Sequence, residues 1–221
     1  MNTLFQSGAQ TYRQPLYAII ENRTMKLIPL IILTLAFNNV LSQIDFETDA
    51  NKDYLYPDII AEIGNLSKDY DFQFRFWIHG GIAIPAQKDL FVMTFKNGIW
   101  NCQNYQFVYR KRRKYRIVEN DLSIENCDSI WNYFNDNKIL NLPDMESLKK
   151  DFYFLDSNGD TLKTMVMDGL NYSFEFLKYD KYKLIEYHSP ITYSKKYTHI
   201  PELKYISNII RLIYRKIGKD I

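Results

Sequence analysis

The chain has 221 residues, 46% of them apolar and 24% charged, with 28 basic against 26 acidic side chains. These proportions exclude a disordered or collagen-like polypeptide, and the length suits one domain, or at most two small ones. Aromatic content is the one departure: 18 Tyr, 14 Phe and 3 Trp make up 16% of the chain.

Residues 25–42 carry the three regions of a secretory signal. Lys26 follows Met25, Leu27 to Phe37 is an apolar run broken only by Pro29 and Thr34, and Val40-Leu41-Ser42 places small or apolar side chains where a signal peptidase reads. Asn38-Asn39 ends the run well short of the ~20 residues of a spanning helix. The alternative is a buried helix of the fold. With Met25 as the start, residues 1–24 read as a misassigned upstream extension or a disordered segment; the alternative is an unusually long n-region. Cleavage after Ser42 would remove Arg13, Glu21, Arg23 and Lys26 and leave residues 43–221 with 25 basic and 25 acidic side chains. That balance disfavours a nucleic-acid binder. No cysteine follows the apolar run, so the expectation is a periplasmic or extracellular protein without a lipid anchor. The Met25-Lys26 leader ending in Ser42-Gln43, followed by a Tyr-, Asn-, Lys- and Ile-rich domain, resembles uncharacterised exported proteins of Bacteroidota-type bacteria. The resemblance implies no activity and no site residues.

Residues 43–54 are acidic and read as a leader arm. Pro57 opens a helical pattern with Ile59, Ile60, Ile63 and Leu66. From Asp71 to His79 the pattern alternates, with Phe72, Phe74, Phe76 and Ile78 on one side, which predicts a half-buried strand. Asn97-Gly98 calls for a two-residue type I′ hairpin. That turn fixes the register, so that Phe95 faces Trp100 and Met93 faces Cys102. Strands are expected at Tyr105–Tyr109 and Tyr115–Val118, and a helix from Ser123 to about Phe134 with Ile124, Cys127, Ile130, Trp131 and Phe134 as its stripe. After a loop near Leu142-Pro143-Asp144, a meander is expected: Phe152–Leu155, Leu162–Met167, a second I′-type turn at Asp168-Gly169, Tyr172–Leu177 and Leu184–His188. Pro201 starts a terminal helix that Gly218 ends. The expected fold is one α+β domain with about seven or eight antiparallel strands, in one or more meander-rich sheets covered by about three helices.

Cys102 and Cys127 are the only cysteines. Each falls on an apolar face, which suits either a disulfide or two buried thiols; a bridge would close a loop of about 25 residues and contribute roughly 3 kcal/mol. Arg110, Lys111, Arg112, Arg113, Lys114 and Arg116 form a basic segment between two strands. It suits an anionic partner, or a solvated loop whose like charges protect a sheet edge. Asp156, Asn158 and Asp160 match the first three calcium ligands of an EF-hand, but Thr161 and Met167 stand where Gly and Glu are required. No metal or cofactor is expected. Tyr179, Tyr182, Tyr187, Tyr193 and Tyr197, interleaved with lysines, suggest an aromatic surface.

His79, His188 and His199 form no ligand or triad motif. Glu175 and Glu186 lie on neighbouring strands and read as a carboxylate pair or as solvent-face residues. The expected function is therefore a non-enzymatic binding module of the cell envelope, with a protein or glycan partner. An envelope-acting hydrolase would need His79 or His188 to meet a carboxylate or cysteine in a concave pocket. An immunity-like partner-binding protein is the third alternative.

Overall fold

A computed structural model describes residues 44–48, 55–63, 70–79, 87–110, 114–120, 127–155, 157–163, 165–167, 169–179 and 181–220. All belong to a compact unit spanning Ile44–Ile221. The extension and signal expected over residues 1–42 lie outside the described residues. The architecture is α+β. Its strands are β1 (Phe72–His79), β2 (Gln87–Lys96), β3 (Ile99–Arg110), β4 (Lys114–Asn120), β5 (Phe154–Leu155), β6 (Thr161–Leu162), β7 (Asn171–Lys178) and β8 (Lys181–His188). Its α-helices are α1 (Pro57–Ile63), α2 (Cys127–Asp136), α3 (Met145–Leu148), α4 (Pro190–Lys196) and α5 (Pro201–Lys216).

Six strands form one antiparallel sheet in the order β4-β3-β2-β1-β7-β8, and β5 and β6 pair separately. The β2–β3 hairpin follows the expected register, with Phe95 opposite Trp100 and Met93 opposite Cys102. Asn97 and Gly98 supply the two positive φ angles, 50° and 81°, that a type I′ turn requires. The second half departs from a simple meander. β6 does not pair with β7; β7 instead lies against β1, with Phe176 opposite Phe74 and Phe174 opposite Phe76. These phenylalanines are fully buried, and a second neighbour for β1 completes the ladder of cross-strand aromatic contacts. β1 is thus central and buried on both faces rather than half-buried.

One face of the sheet carries Phe72, Phe74, Phe76, Phe95, Trp100, Phe174 and Phe176. The stripe of α2 packs on it: Trp131 meets Phe72 and Trp100 with ring centroids 5.0 and 4.8 Å apart, and Phe134 meets Phe74 at 5.2 Å. α5 turns Leu203, Ile206, Ile210 and Ile213 inward, and Tyr214 reaches Tyr172. Gly218, at φ 69°, follows the last turn, where Lys219 N donates to the Tyr214 carbonyl. On the opposite face α1 covers Trp77, Leu90, Val92, Tyr105 and Phe107 through Ile60, with Ile59 and Ile63 partly buried beside it. Two helices beyond the expected three, α3 and α4, are short. α3 has four residues and α4 seven, too few for a repeating apolar stripe. The Asp144 side chain caps α3 by accepting from Glu146 N, and Pro190 occupies the first turn of α4.

Candidate functional site

The face of the sheet under α1 carries the polar chemistry. Glu175 on β7 is fully buried, not a solvent-face residue. Its Oε2 accepts from Trp77 Nε1 at 2.7 Å and lies 3.9 Å from an Arg75 guanidinium nitrogen; its Oε1 accepts from Tyr182 Oη and Leu55 N, each at 3.0 Å. Arg75 Nε in turn donates to Gln73 Oε1 at 2.6 Å. Three hydrogen-bond donors and a guanidinium thus converge on this one carboxylate. Tyr182 is pushed up by burial and by the neighbouring Glu175 charge.

Farther along the same face, strand register sets His79, Asn171 and His188 side by side on β1, β7 and β8. His79 Nδ1 lies 2.9 Å from Tyr56 Oη, its Nε2 lies 2.8 Å from Ser173 Oγ, and Ser173 donates to Glu186 Oε1 at 3.0 Å. The direction of the protons follows from the far end. A carboxylate only accepts, so the Ser173 proton points to Glu186. Ser173 Oγ must then accept from His79 Nε2–H, which leaves Nδ1 to accept from Tyr56. Burial, and secondarily the Lys88 charge, push His79 down to about 4. Burial also lowers Lys88, whose ammonium sits 3.8 Å over the Tyr56 ring.

This polarity is the reverse of a nucleophilic serine site, where the hydroxyl gives its proton to an imidazole lone pair. The single lone pair of neutral His79 is filled by Tyr56. His188 Nε2 donates to the Val166 carbonyl at 3.0 Å, and its Nδ1 lies 2.8 Å from the Asn171 carboxamide. His199 Nε2 lies 2.9 Å from the Asp151 carbonyl. Among the described residues, neither His79 nor His188 hydrogen-bonds a carboxylate. Both cysteines are joined in the Cys102–Cys127 disulfide, with Cα atoms 6.3 Å apart. No group of three or more potential metal ligands occurs among the described residues.

Of the proposed aromatic surface, only Tyr179 is exposed, at the β7–β8 turn. Tyr182, Tyr187, Tyr193 and Tyr197 are buried. Tyr187 donates to the Pro143 carbonyl, Tyr193 accepts from Val166 N, and Tyr197 stacks on Phe152. These four tyrosines therefore fill the core, and the hydroxyls of Tyr187 and Tyr193 meet backbone polar groups, as amphipathic rings do. Of the basic segment, residues 111–113 lie outside the described residues; Arg110 pairs with Lys114 across the β3–β4 hairpin, and Arg116 is exposed on the edge strand. Lys114 and Arg116 thus lie on β4, an edge strand of the sheet. Asp156 also lies outside the described residues, while Gly159 turns the β5–β6 hairpin at φ 85°.

Two surface features carry no motif in the sequence. Five of the eight large apolar side chains exposed among the described residues fall between residues 153 and 167: Tyr153, Leu155, Leu162, Met165 and Met167, the last two 75% and 78% exposed. Hydrogen bonds hold this segment in place. Val166 donates its N–H to Tyr193 Oη and its carbonyl accepts from His188, while Met165 and Met167 on either side point outward. The second feature is a cationic groove beside α5. No protein-family model matches the chain, and no curated protein matches its sequence. No described helix is long and apolar enough to cross a membrane.

Proposed function

We propose that this protein is an exported, non-enzymatic interaction module of the cell envelope that docks a partner protein through the β5–β6 hairpin. The observation that carries this proposal is the cluster of exposed Tyr153, Leu155, Leu162, Met165 and Met167 on an anchored segment. Large apolar side chains held out in water mark interaction surfaces, and Met and Tyr are enriched in interface cores. The flanking charges are mixed: Lys149, Lys150 and Lys163 stand beside Asp151 and Asp160. A mixed rim suits a protein partner better than an anionic bilayer. Export is supported by the signal pattern in residues 25–42, by the disulfide, and by a compact unit that begins at Ile44, just past the expected cleavage point.

Photocrosslinking side chains placed at Leu155 or Met167 in the exporting cell should yield one discrete adduct, lost when Met165→Asp is added. The same side chain at exposed Lys204 of α5 should yield none. Indiscriminate adducts at all three sites would sink the proposal. So would binding of the purified protein to vesicles of phosphatidylethanolamine and phosphatidylglycerol that Met165→Asp abolishes.

A further inference from the structure

A groove of about 460 Å³ opens between α2, α4, α5 and the residues after α5. Its charge is one-sided. Lys195 of α4, Arg211 and Arg215 of α5, and Lys219 line it, against the single carboxylate of Asp220. Lys219 is already engaged, its ammonium paired with buried Asp89 of β2. Among the described residues no carboxylate lies within ion-pair reach of Lys195, Arg211 or Arg215.

The spacing is unfavourable for a helix alone. Arg211 and Arg215 stand four residues apart on one face of α5, and Lys219 follows at the same interval. Like charges at that spacing destabilise a helix by a few tenths of a kcal/mol per pair. The helix dipole accounts for Arg215 in the last turn. The same holds for Lys195 in the last turn of α4, but not for half-buried Arg211 one turn earlier on α5. Tyr133 closes the groove from α2. A volume near 460 Å³ lies within the range of small-molecule sites, and guanidinium groups bind phosphate and carboxylate through paired hydrogen bonds.

We propose that this groove binds a small polyanion carrying phosphate or carboxylate groups, with Arg211, Arg215 and Lys195 as its principal contacts. The site is separate from the hairpin surface. Tyr193 of α4 faces Val166, whereas Ile191 and Lys195, two positions away on the helix and so about 200° round it, face the groove.

Calorimetric titration of the full chain with inorganic pyrophosphate, and separately with citrate, tests the inference at low and at physiological ionic strength. Saturable single-site binding of at least one of them, persisting at physiological salt, is expected. Pyrophosphate alone would assign a phosphate ligand, and citrate alone a polycarboxylate. Arg211→Glu should weaken the bound anion at least about tenfold, the loss expected for one charge-assisted contact. Lys195→Glu should do the same from the other wall, so the test survives if one variant folds poorly. Lys204→Glu, exposed elsewhere on α5, should change affinity less than twofold. Absence of saturable binding by both anions, binding confined to low salt, or insensitivity to both groove reversals would overturn the proposal.

Discussion

Glu175 is the residue whose removal should cost most. It gathers Arg75, Trp77, Tyr182 and the Leu55 amide around one buried carboxylate. Glu175→Ala would take away the carboxylate beside the buried Arg75 guanidinium and the acceptor that Trp77 Nε1, Tyr182 Oη and Leu55 N share. The expected loss is about 3–5 kcal/mol, read as a lower urea midpoint. Replacing both charges, as in Arg75→Met with Glu175→Met, should recover most of that loss, because the pair itself contributes little net stability once both members are gone. His79 predicts a pH dependence with a definite sign. Its folded value is about 4 and its ordinary value 6.5, so the unfolded chain takes up the proton first as the pH falls. The stability held by neutral His79 is fully present above pH 6.5 and drains away toward pH 4, up to about 3 kcal/mol. Urea midpoints measured at about pH 7 and about pH 4.5 should converge in His79→Gln relative to the parent protein, since other titrating groups are common to both. An unchanged difference between the two proteins would show that His79 is protonated equally in the folded and unfolded states.

At the scale of elements, the Cys102–Cys127 bridge ties β3 to α2 across 25 residues. Replacing both cysteines by serine should lower stability by roughly 3 kcal/mol, and the parent protein should label with a thiol reagent only after reduction. Both partners of this bridge could be placed from sequence. Asn97-Gly98 fixes the facing of Cys102, and the α2 stripe fixes that of Cys127, because short-range turn geometry and helical periodicity are written in neighbouring residues. The pairing of β7 with β1 was not legible. It joins residues roughly a hundred positions apart, and an alternating strand does not reveal how many neighbours it has. The same gap hid the polar site. Arg75, Glu175 and Ser173 alternate with phenylalanines, which reads as a wet face; in the fold all three are buried, with β7 beside β1. The buried tyrosines misled for a related reason. Tyr187 and Tyr193 resemble surface aromatics among lysines, but their hydroxyls end on Pro143 and Val166 backbone groups.

The molecule as a whole depends on the short arm that follows the expected cleavage point. Ile44 and Phe46 are 1% and 7% exposed, and the Phe46 ring lies 6.4 Å from Phe72 and 6.0 Å from Phe176. Lys178 donates to the Ile44 carbonyl, and Lys181 holds the Asp45 carboxyl below its usual range. The arm therefore belongs to the core, with its two apolar side chains contributing about 1.5–3 kcal/mol each. A signal peptidase cutting after Ser42 would leave it intact, whereas a cut four residues later would remove it. A chain beginning at Gln43 should match the unfolding midpoint of the full-length protein. One beginning at Glu47 should lose about 3–6 kcal/mol. Equal stability of the two would remove the arm from the core. The intact mass of secreted protein supplies the companion measurement: a chain starting at Gln43 is expected, and retention of residues 25–42 would end the case for export.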